Sequence, residues 1–316
     1  MNTIKLGIDS EVDVKPCVAT IGFFDGVHRG HKYLIDHVRA EAAEDGLESM
    51  VITFDRHPRQ VLHSDYVPQL LSTTESKLIL FALTKVDNAV LLHFDKQMAA
   101  FTAKEFMEKI LRDKLNVKKL VIGYDHRFGH DRAEGFDEYV RYGRELGIEV
   151  VRNNAFELNG VKVSSSVVRS FLQEGEIELA NNCLGYPYII TGEVVEGEQN
   201  GRKIGYPTAN LDTKESHQLI PAAGVYAVKV RLNGTMSWRP AMMNIGSRPT
   251  FNGKGNTIEI NIFNFDDDIY GQQLQVAFIH RIREEQKFSS PEALAEQLAE
   301  DRRMVEKQFR KEIDDE

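Results

Sequence analysis

The hydrophobic pattern of this chain changes near residue 186. Before that point, short apolar runs typical of buried strands alternate with segments of helical spacing, which predicts a doubly wound, Rossmann-like parallel sheet. After it, apolar and polar residues alternate at a period of two between turn residues, which predicts a small antiparallel β-barrel. Ser290 and Pro291 then begin a terminal helix. We therefore expect an α/β domain over residues 1–186 and a β-barrel domain over residues 187–316.

Local signals predict where individual elements begin and end. Thr102 and Glu105 form a capping box at a helix start, and Gly147 and Gly185 are expected to end two other helices. The dipeptide at positions 233 and 234, Asn-Gly, is the strongest signal for a two-residue β-hairpin turn. The predicted strands are residues 17–21, 49–54, 89–92, 119–123, 149–151, 224–232, 257–263 and 274–279.

One junction in the first half is suited to binding an anion. Residues 22–31 have the sequence Gly-Phe-Phe-Asp-Gly-Val-His-Arg-Gly-His and connect a predicted strand to a predicted helix. Such a turn presents backbone N–H groups and the positive end of the helix dipole. The glycine spacing does not fit a dinucleotide fingerprint, and no Gly-Lys-Ser or Gly-Lys-Thr sequence of a kinase phosphate loop occurs.

The same junction contains two histidines, His28 and His31, one helical turn apart. A His-x-x-His pair also occurs in metal sites, but no third ligand has convincing spacing. Imidazole N–H donors at a helix N-terminus can stabilise the negative charge that develops when an α-phosphorus is attacked and pyrophosphate leaves. The pair therefore favours nucleotidyl transfer.

Residues 20–31 resemble the adenylyltransferase motif of the bacterial bifunctional riboflavin kinase/FAD synthetase family. The resemblance implies that His28 and His31 are catalytic and that Gly22, Phe24 and Gly30 bind ATP. Other nucleotidyltransferases share the His-x-Gly-His core, so the substrate must be inferred from other segments.

Residues 123–129, Gly-Tyr-Asp-His-Arg-Phe-Gly, resemble a flavin-side element of the same family. The resemblance implies that Asp125 lies near the flavin or the reacting phosphates and that Phe128 offers a ring face to the flavin. A turn rich in aspartate and glycine explains the segment equally well. The role of His126, where the family usually has phenylalanine, is open, as are the roles of His57 and His130.

Residues 163–169, Val-Ser-Ser-Ser-Val-Val-Arg, resemble the family pattern Ile-Ser-Ser-Thr-x-Ile-Arg. The resemblance implies that Ser164 and Ser165 bind ATP phosphates and that Arg169 binds the departing pyrophosphate, as a bidentate guanidinium can. Ser166 replaces the usual threonine and keeps its hydroxyl. Taken alone, serines at a helix start are N-caps.

Residues 201–210 and 243–251 closely resemble the riboflavin kinase module. The resemblance implies that Gly205 and Pro207 bind ATP, and that Thr208 and Asn210 provide oxygen ligands for Mg²⁺.

Glu259 lies on the strand face opposite its isoleucine neighbours and aligns with the family's catalytic glutamate. A carboxylate there would deprotonate the riboflavin 5′-hydroxyl. Arg281 resembles a family position near the flavin and its phosphate. The two domains together would convert riboflavin and ATP to FMN, and then FMN and ATP to FAD.

The composition is compatible with an enzyme that acts on small molecules. The formal net charge is −9 at pH 7, whereas nucleic-acid binding needs a clustered basic face. Two cysteines provide no disulfide framework, and no apolar stretch approaches membrane-spanning length. We therefore expect a cytoplasmic protein that binds neither nucleic acid nor membrane. Its oligomeric state is open, a homo-oligomer included.

Two other protein classes are compatible with these residues. One is a monofunctional enzyme in which one domain only binds its ligand, although motifs in both halves argue against it. The other is a flavin-binding sensor without turnover, which would not need His28, His31 or Glu259. Steady turnover, measured against stoichiometric binding, distinguishes these classes from a bifunctional enzyme.

Overall fold

The computed structural model describes residues 1–62, 65–124, 127–130, 134–197, 201, 205–246, 249–250, 253–254 and 257–314. By packing, the chain divides into two compact units. Unit 1 consists of Met1–Pro68 with Ser72–Ser164, and unit 2 of Gln69–Leu71 with Ser165–Glu316.

Unit 1 is built on a six-stranded sheet in which every neighbouring pair is parallel, in the order β1-β4-β3-β2-β5-β6. This confirms the predicted doubly wound sheet. The carboxyl ends of all six strands lie at one edge, where ligands bind in such folds. The strands are β1 (Asn2–Leu6), β2 (Cys17–Ile21), β3 (Glu48–Phe54), β4 (Asn88–Leu92), β5 (Val117–Ile122) and β6 (Glu149–Arg152).

The sequence does not predict β1, because only Leu6 of its five residues is buried. It becomes a strand by pairing with β4 at the sheet edge. The interior strands are apolar on both faces, as a sheet covered by helices on both sides requires. One core cluster includes Met50, Ile52 and Leu120, and the other includes Val51, Phe81 and Val121.

Two helices of unit 1 begin or end at the predicted signals, whereas α2, α3 and α4 were not predicted. Thr102 and Glu105 form the capping box, and Gly147 ends α6 with φ of 71°. A π-helical segment, Met107–Arg112, continues α5. The helices are α1 (Arg29–Asp45), α2 (Pro58–Leu62), α3 (Thr74–Leu83), α4 (Lys96–Ala99), α5 (Ala103–Phe106) and α6 (Phe136–Leu146), and a short hairpin of β7 (Glu157–Leu158) and β8 (Val161–Lys162) follows.

Unit 2 contains a closed six-stranded barrel, in the order β10-β15-β12-β11-β16-β9, in which every observed pairing is antiparallel. This confirms the predicted barrel. Closure leaves no strand edge open. The elements are α7 (Ser165–Glu174), α8 (Ile177–Leu184), β9 (Ile189–Val195), β10 (Ala209–Asp212), β11 (Gly224–Leu232), β12 (Arg239–Gly246), β13 (Pro249–Thr250), β14 (Gly253–Lys254), β15 (Thr257–Ile262), β16 (Gln273–Arg283) and α9 (Pro291–Asp314).

The prediction of a two-residue hairpin turn at Asn233 and Gly234 is wrong. The strands it would connect, β11 and β12, end and begin at Leu232 and Arg239, so the connection is longer. A turn does form there, because the Thr235 N–H donates to Leu232 O at 3.1 Å. The chain then needs further residues before β12 pairs, with Arg239 opposite Val230.

Helices α7 and α8 pack with the barrel and not with the sheet, although both precede residue 187. The Asn181 side chain, in α8, donates to Phe278 O on β16 at 2.9 Å, and its oxygen accepts from the Tyr188 N–H at 2.7 Å. By packing, the second unit therefore takes in the chain from Ser165 onward. The predicted boundary between residues 186 and 187, which separates the two proposed activities, stays a prediction.

A buried ion pair attaches α9 to the barrel. Asp301 is fully buried and accepts from Arg283 Nη2 at 2.7 Å and Nε at 2.9 Å, and from Gln297 Nε2 at 2.9 Å. Removing one partner of such a pair leaves an uncompensated buried charge, which typically costs about 3–5 kcal/mol.

We therefore expect Asp301→Ala to lower the free energy of unfolding of the barrel by about 3–5 kcal/mol. Urea unfolding followed by fluorescence measures it, because the single tryptophan, Trp238, belongs to unit 2. The control is Glu300→Ala, which removes an exposed pair with Arg303 and should change stability by less than about 1 kcal/mol. Equal losses in the two variants would contradict the structural role of the buried pair.

Candidate active sites

The loop after β2, residues 22–28, has an unusual backbone; we call it the β2–α1 loop. It contains a 3-10 turn, Asp25–Val27, and φ is positive at Phe24 (53°), Gly26 (77°) and Val27 (36°). Positive φ is uncommon outside glycine and is an outlier for a β-branched residue such as Val27. Such strain persists only where surrounding contacts impose it, and it clusters at functional sites.

His28 and His31 lie together at the N-terminus of α1. His28 is the N-cap, and its Nδ1 accepts a hydrogen bond from the His31 backbone N–H at 3.3 Å. Because Nδ1 accepts, we assign the ring proton to Nε2, which makes that atom a donor. The two rings are stacked, with centroids 3.6 Å apart and planes 18° from parallel. The helix N-terminus and the imidazole donors together suit an anion.

Two glycines allow close approach at this site. A Cβ on Gly30 would lie 3.1 Å from His28 Nδ1 and 3.1 Å from Val163 O. A Cβ on Gly22 would lie 3.1 Å from the Phe24 ring. Val163, which precedes Ser164, therefore lies directly beside the start of α1. The family resemblance, which assigns both motifs to one ATP site, implies that they lie close together.

The remaining residues of the third motif begin unit 2. Ser165 is the first residue of α7, and the Arg169 Nε donates to Gln69 O at 2.9 Å within that unit. That bond uses one edge of the guanidinium group. The predicted contacts of Ser165 and Arg169 with phosphate stay predictions.

The predicted flavin element after β5 is described only in part. Asp125 and His126 lie outside the described residues. Phe128 is 8% exposed and stacks on Tyr139, with ring centroids 4.3 Å apart. Its N–H donates to the Tyr139 hydroxyl at 3.0 Å. Phe128 therefore forms part of the core, and a contact with flavin stays a prediction.

Three residues that the sequence analysis missed contact the β2–α1 loop. Thr53, Ser72 and Lys77 all donate hydrogen bonds to it, and Ser72 also accepts one from it. Lys77 is nearly fully buried, at 2% exposure. The sequence could have indicated that Lys77 is buried, because it lies one helical turn before Phe81 on the apolar side of α3.

In unit 2, three polar residues lie side by side across neighbouring strands. Asn210 on β10 is opposite Glu259 on β15, and Glu259 is opposite Asn244 on β12. Directly opposed residues of antiparallel strands share one face of the sheet, about 5 Å apart. The neighbours Ile258 and Ile260 are buried, which confirms the predicted alternation around Glu259. Asn244 joins this row without a prediction from the sequence.

The backbone before β10 is closely packed against the row. A Cβ on Gly197 would collide with the Asn210 amide, and a Cβ on Gly201 would lie 3.5 Å from Thr208 Oγ1. Pro207 is held in place because its carbonyl accepts from Asn261 Nδ2 at 2.7 Å. Within the described residues, no three histidine, cysteine or acidic side chains could together hold a metal ion. Neutral oxygens of the kind that Thr208 and Asn210 provide suit a cation shared with phosphate.

Two other residues of unit 2 were predicted to bind substrates, Gly205 and Arg281, and the structure describes the backbone of the first and the contacts of the second. Gly205 is exposed, with φ of 83°, a conformation that favours glycine. Arg281 donates to Ala223 O at 2.9 Å and to Glu174 O at 3.4 Å, and so connects the barrel to the end of α7. Contacts of Arg281 with flavin and of Gly205 with ATP stay predictions.

A parallel sheet with paired histidines at a helix N-terminus, followed by a barrel with a glutamate between two asparagines, defines a two-part nucleotide-dependent transferase. Family models match both parts: FAD synthetase over residues 10–167 and riboflavin kinase over residues 184–309. The chain belongs to the bifunctional riboflavin kinase/FMN adenylyltransferase family, and both enzyme activities are assigned to it.

Relatives of that name match nearly the whole chain. The protein of Escherichia coli K12 is 38% identical over 292 residues, which is 92% of each chain. The Haemophilus influenzae protein is 38% identical over 285 residues (90% of this chain, 92% of the relative), and the Bacillus subtilis protein is 34% identical over 308 residues (92% of each).

A solved structure from Streptococcus pneumoniae, described as a macrolide-efflux protein, has a TM-score of 0.87 to this one. The two chains are 32% identical, and the match covers 97% of this chain and 99% of the other. In the part of this chain that the structure describes, no helix is long and apolar enough to cross a membrane.

Proposed function

We propose that this chain makes FAD in two ATP-dependent steps, with the kinase chemistry in residues 187–316 and the adenylyltransferase chemistry in residues 1–186. The observation that carries the proposal is that one chain holds two separate groups of polar side chains suited to these two reactions. One is the stacked pair of His28 and His31. The other is Glu259 between two asparagines.

In the kinase step, the riboflavin 5′-hydroxyl attacks the γ-phosphorus of ATP, and ADP leaves. Glu259 accepts the hydroxyl proton, which makes the oxygen a better nucleophile. Asn210 and Asn244, directly opposite Glu259 on its two neighbouring strands, orient the carboxylate. By the family resemblance, Arg281 acts near the flavin and its phosphate, and Gly205 and Pro207 bind ATP.

Thr208 and Asn210 would hold Mg²⁺ at the kinase site. Both offer neutral oxygens, and the absence of a Cβ at Gly197 leaves room for the Asn210 amide. When bound together with ATP, Mg²⁺ neutralises charge on the phosphate oxygens.

In the adenylyltransferase step, a phosphate oxygen of FMN attacks the α-phosphorus of ATP, and pyrophosphate leaves. His28 Nε2–H and the His31 imidazole stabilise the charge that develops, with the N-terminus of α1 behind them. Ser164 and Ser165 bind ATP phosphates, and Arg169 binds the departing pyrophosphate.

The remaining predicted contacts complete the adenylyltransferase site. Gly22, Phe24 and Gly30 bind ATP. The absence of a Cβ at the two glycines leaves room for the rings of Phe24 and His28, and Phe24 packs edge-to-face with His31. The family resemblance implies that Asp125 acts near the flavin or the reacting phosphates and that Phe128 offers a ring face to the flavin. Because both steps consume ATP, we propose that the protein works in the cytoplasm.

A time course tests the whole assignment. Purified protein is incubated with riboflavin, ATP and Mg²⁺, and flavins are separated by chromatography. We expect FMN to rise first and then to be converted to FAD, with many turnovers per enzyme molecule. Omission of Mg²⁺ should stop both steps. If supplied FMN gives no FAD, the assignment of His28 and His31 is wrong, and stoichiometric binding without turnover would instead indicate a flavin sensor.

A further inference from the structure

The β2–α1 loop is held from beneath by a buried lysine. Lys77 is 2% exposed, and its Nζ donates to Phe23 O at 2.9 Å and to Thr53 Oγ1 at 3.2 Å. It approaches Phe54 O at 3.5 Å, and it lies 4.1 Å from the centroid of the Phe23 ring. Every oxygen that Lys77 contacts belongs to the loop or to the carboxyl end of β3.

The segment that carries Lys77 holds both ends of the strained turn. At one end, Phe23 O accepts from Lys77 and also from Thr53 Oγ1 at 3.0 Å. At the other end, Gly26 N–H donates to Ser72 Oγ at 3.1 Å, and the Ser72 N–H donates to Asp25 Oδ1 at 3.2 Å. Of the residues with positive φ, Phe24 lies between these contacts, Gly26 makes the second of them, and Val27 follows immediately before His28.

We propose that Lys77 is a positioning residue for adenylyl transfer: its ammonium group holds the Phe23 carbonyl and, through it, the left-handed turn that places His28 at the N-terminus of α1. This inference rests on the proposed function of His28. In this proposal Lys77 acts only through the loop and through β3, whose oxygens it contacts.

A buried charge at Lys77 costs desolvation free energy, so stability alone does not explain a lysine at this position. Burial lowers its pKa to about 8, and the carboxylates of Asp25 and Asp55 offset only part of that effect. An apolar side chain of similar length would avoid the desolvation. Other titratable groups at this end of the sheet are His93, which is 2.6 Å from Asp55, and His57, whose ring contacts Phe23.

Protonation of Lys77 affects activity and stability in opposite directions. Above about pH 8 the amine becomes neutral, and its bonds to Phe23 O and Thr53 weaken, so adenylyl transfer falls. The pKa of Lys77 in the folded protein is below the usual lysine pKa of 10.5, so between these two values the unfolded chain binds more protons. The contribution of Lys77 to stability therefore rises with pH in that window. A residue with a purely structural role would not lower activity while the fold is stabilised.

The experiment uses the full-length protein and measures both activities between pH 6.5 and 10. The kinase step is the internal control, because its residues lie in unit 2. In the wild type we expect FAD formation from FMN, but not FMN formation, to fall with a midpoint near pH 8. Lys77→Met should lower kcat for FAD formation at pH 7 by about tenfold to a hundredfold, the value of a charged hydrogen bond, and should remove the alkaline step.

Lys119→Met is the matched control. Lys119 is also a buried lysine of unit 1, at 8% exposure, but it lies near the amino end of β5. Lys119 donates hydrogen bonds to the carboxylates of Asp45 and Glu41, and these bonds raise its pKa, so its removal should lower thermal stability more than the Lys77 change does. It should leave the pH profile of FAD formation unchanged. Thr53→Val, which removes the other donor to Phe23 O, is a second test if Lys77→Met does not fold.

The proposal is overturned if Lys77→Met keeps kcat within twofold of wild type, or if both activities share one pH profile. Loss of FAD formation in His28 variants together with such a result would reject only the role of Lys77. Retention of FAD formation in His28 variants would reject the proposed function itself.

Discussion

Glu259→Gln should abolish riboflavin phosphorylation while FAD formation from supplied FMN continues at the wild-type rate. The substitution keeps the size of the side chain but removes the carboxylate that accepts the hydroxyl proton. General-base catalysis contributes about 10² to 10⁴ in rate, so we expect kcat for FMN formation to fall by that factor. The KM for riboflavin should change little, because the lost interaction acts in the transition state.

The measurement is chromatographic quantification of FMN from riboflavin and of FAD from FMN, in separate reactions. Glu193→Gln is the matched control, since it changes an exposed glutamate on β9 of the same barrel. That variant should retain both activities. If Glu259→Gln retained FMN formation within about threefold, general-base catalysis by Glu259 would be rejected. Loss of both activities in folded protein would reject the separation of the two sites.

His28→Asn should abolish FAD formation and leave FMN formation unchanged. His28 both caps α1 and provides an imidazole donor, and asparagine keeps a side-chain oxygen acceptor for the cap. The variant therefore tests the chemistry apart from the fold. Removal of one preorganised donor to a developing charge costs about 10² to 10³ in kcat.

His28→Ala should reduce FAD formation to the same extent and also lose about 1 kcal/mol of stability, because the cap is gone. Thr102→Ala controls for this loss, since Thr102 caps α5 through its bond from the Glu105 N–H at 3.2 Å. That variant should lose similar stability and retain both activities. A His28→Asn protein as active as wild type would show that His28 matters only as a cap.

Much of the fold could be predicted because its signals are local. The interior strands of the sheet are continuous apolar runs, and caps such as Thr102 and Gly147 act within one helical turn of themselves. The barrel strand around Glu259 shows its period of two over a few residues. Each of these patterns depends on backbone geometry that nearby residues are sufficient to specify.

The predictions that were wrong or incomplete depended on distant partners. Strand β1 exists because β4 pairs with it, and the turn after β11 is longer than Asn-Gly favours. Helices α7 and α8 fall by sequence within residues 1–186, whereas packing groups them with the barrel. The packing of Phe128 against Tyr139 in the core was likewise not predicted, and its contact with flavin stays a prediction.

By itself, then, the amino-acid sequence determined the two classes of architecture, the helix ends and the residue types available for catalysis. Tertiary structure alone decided which of those residues meet. Asn244 lies opposite Glu259 only because β12 pairs with β15 in one register, and a shift of one residue would move it to the other face. Lys77 became buried beneath Phe23 because α3 packs over the carboxyl ends of β2 and β3, and its pKa follows from that burial and from no property of its neighbours in sequence.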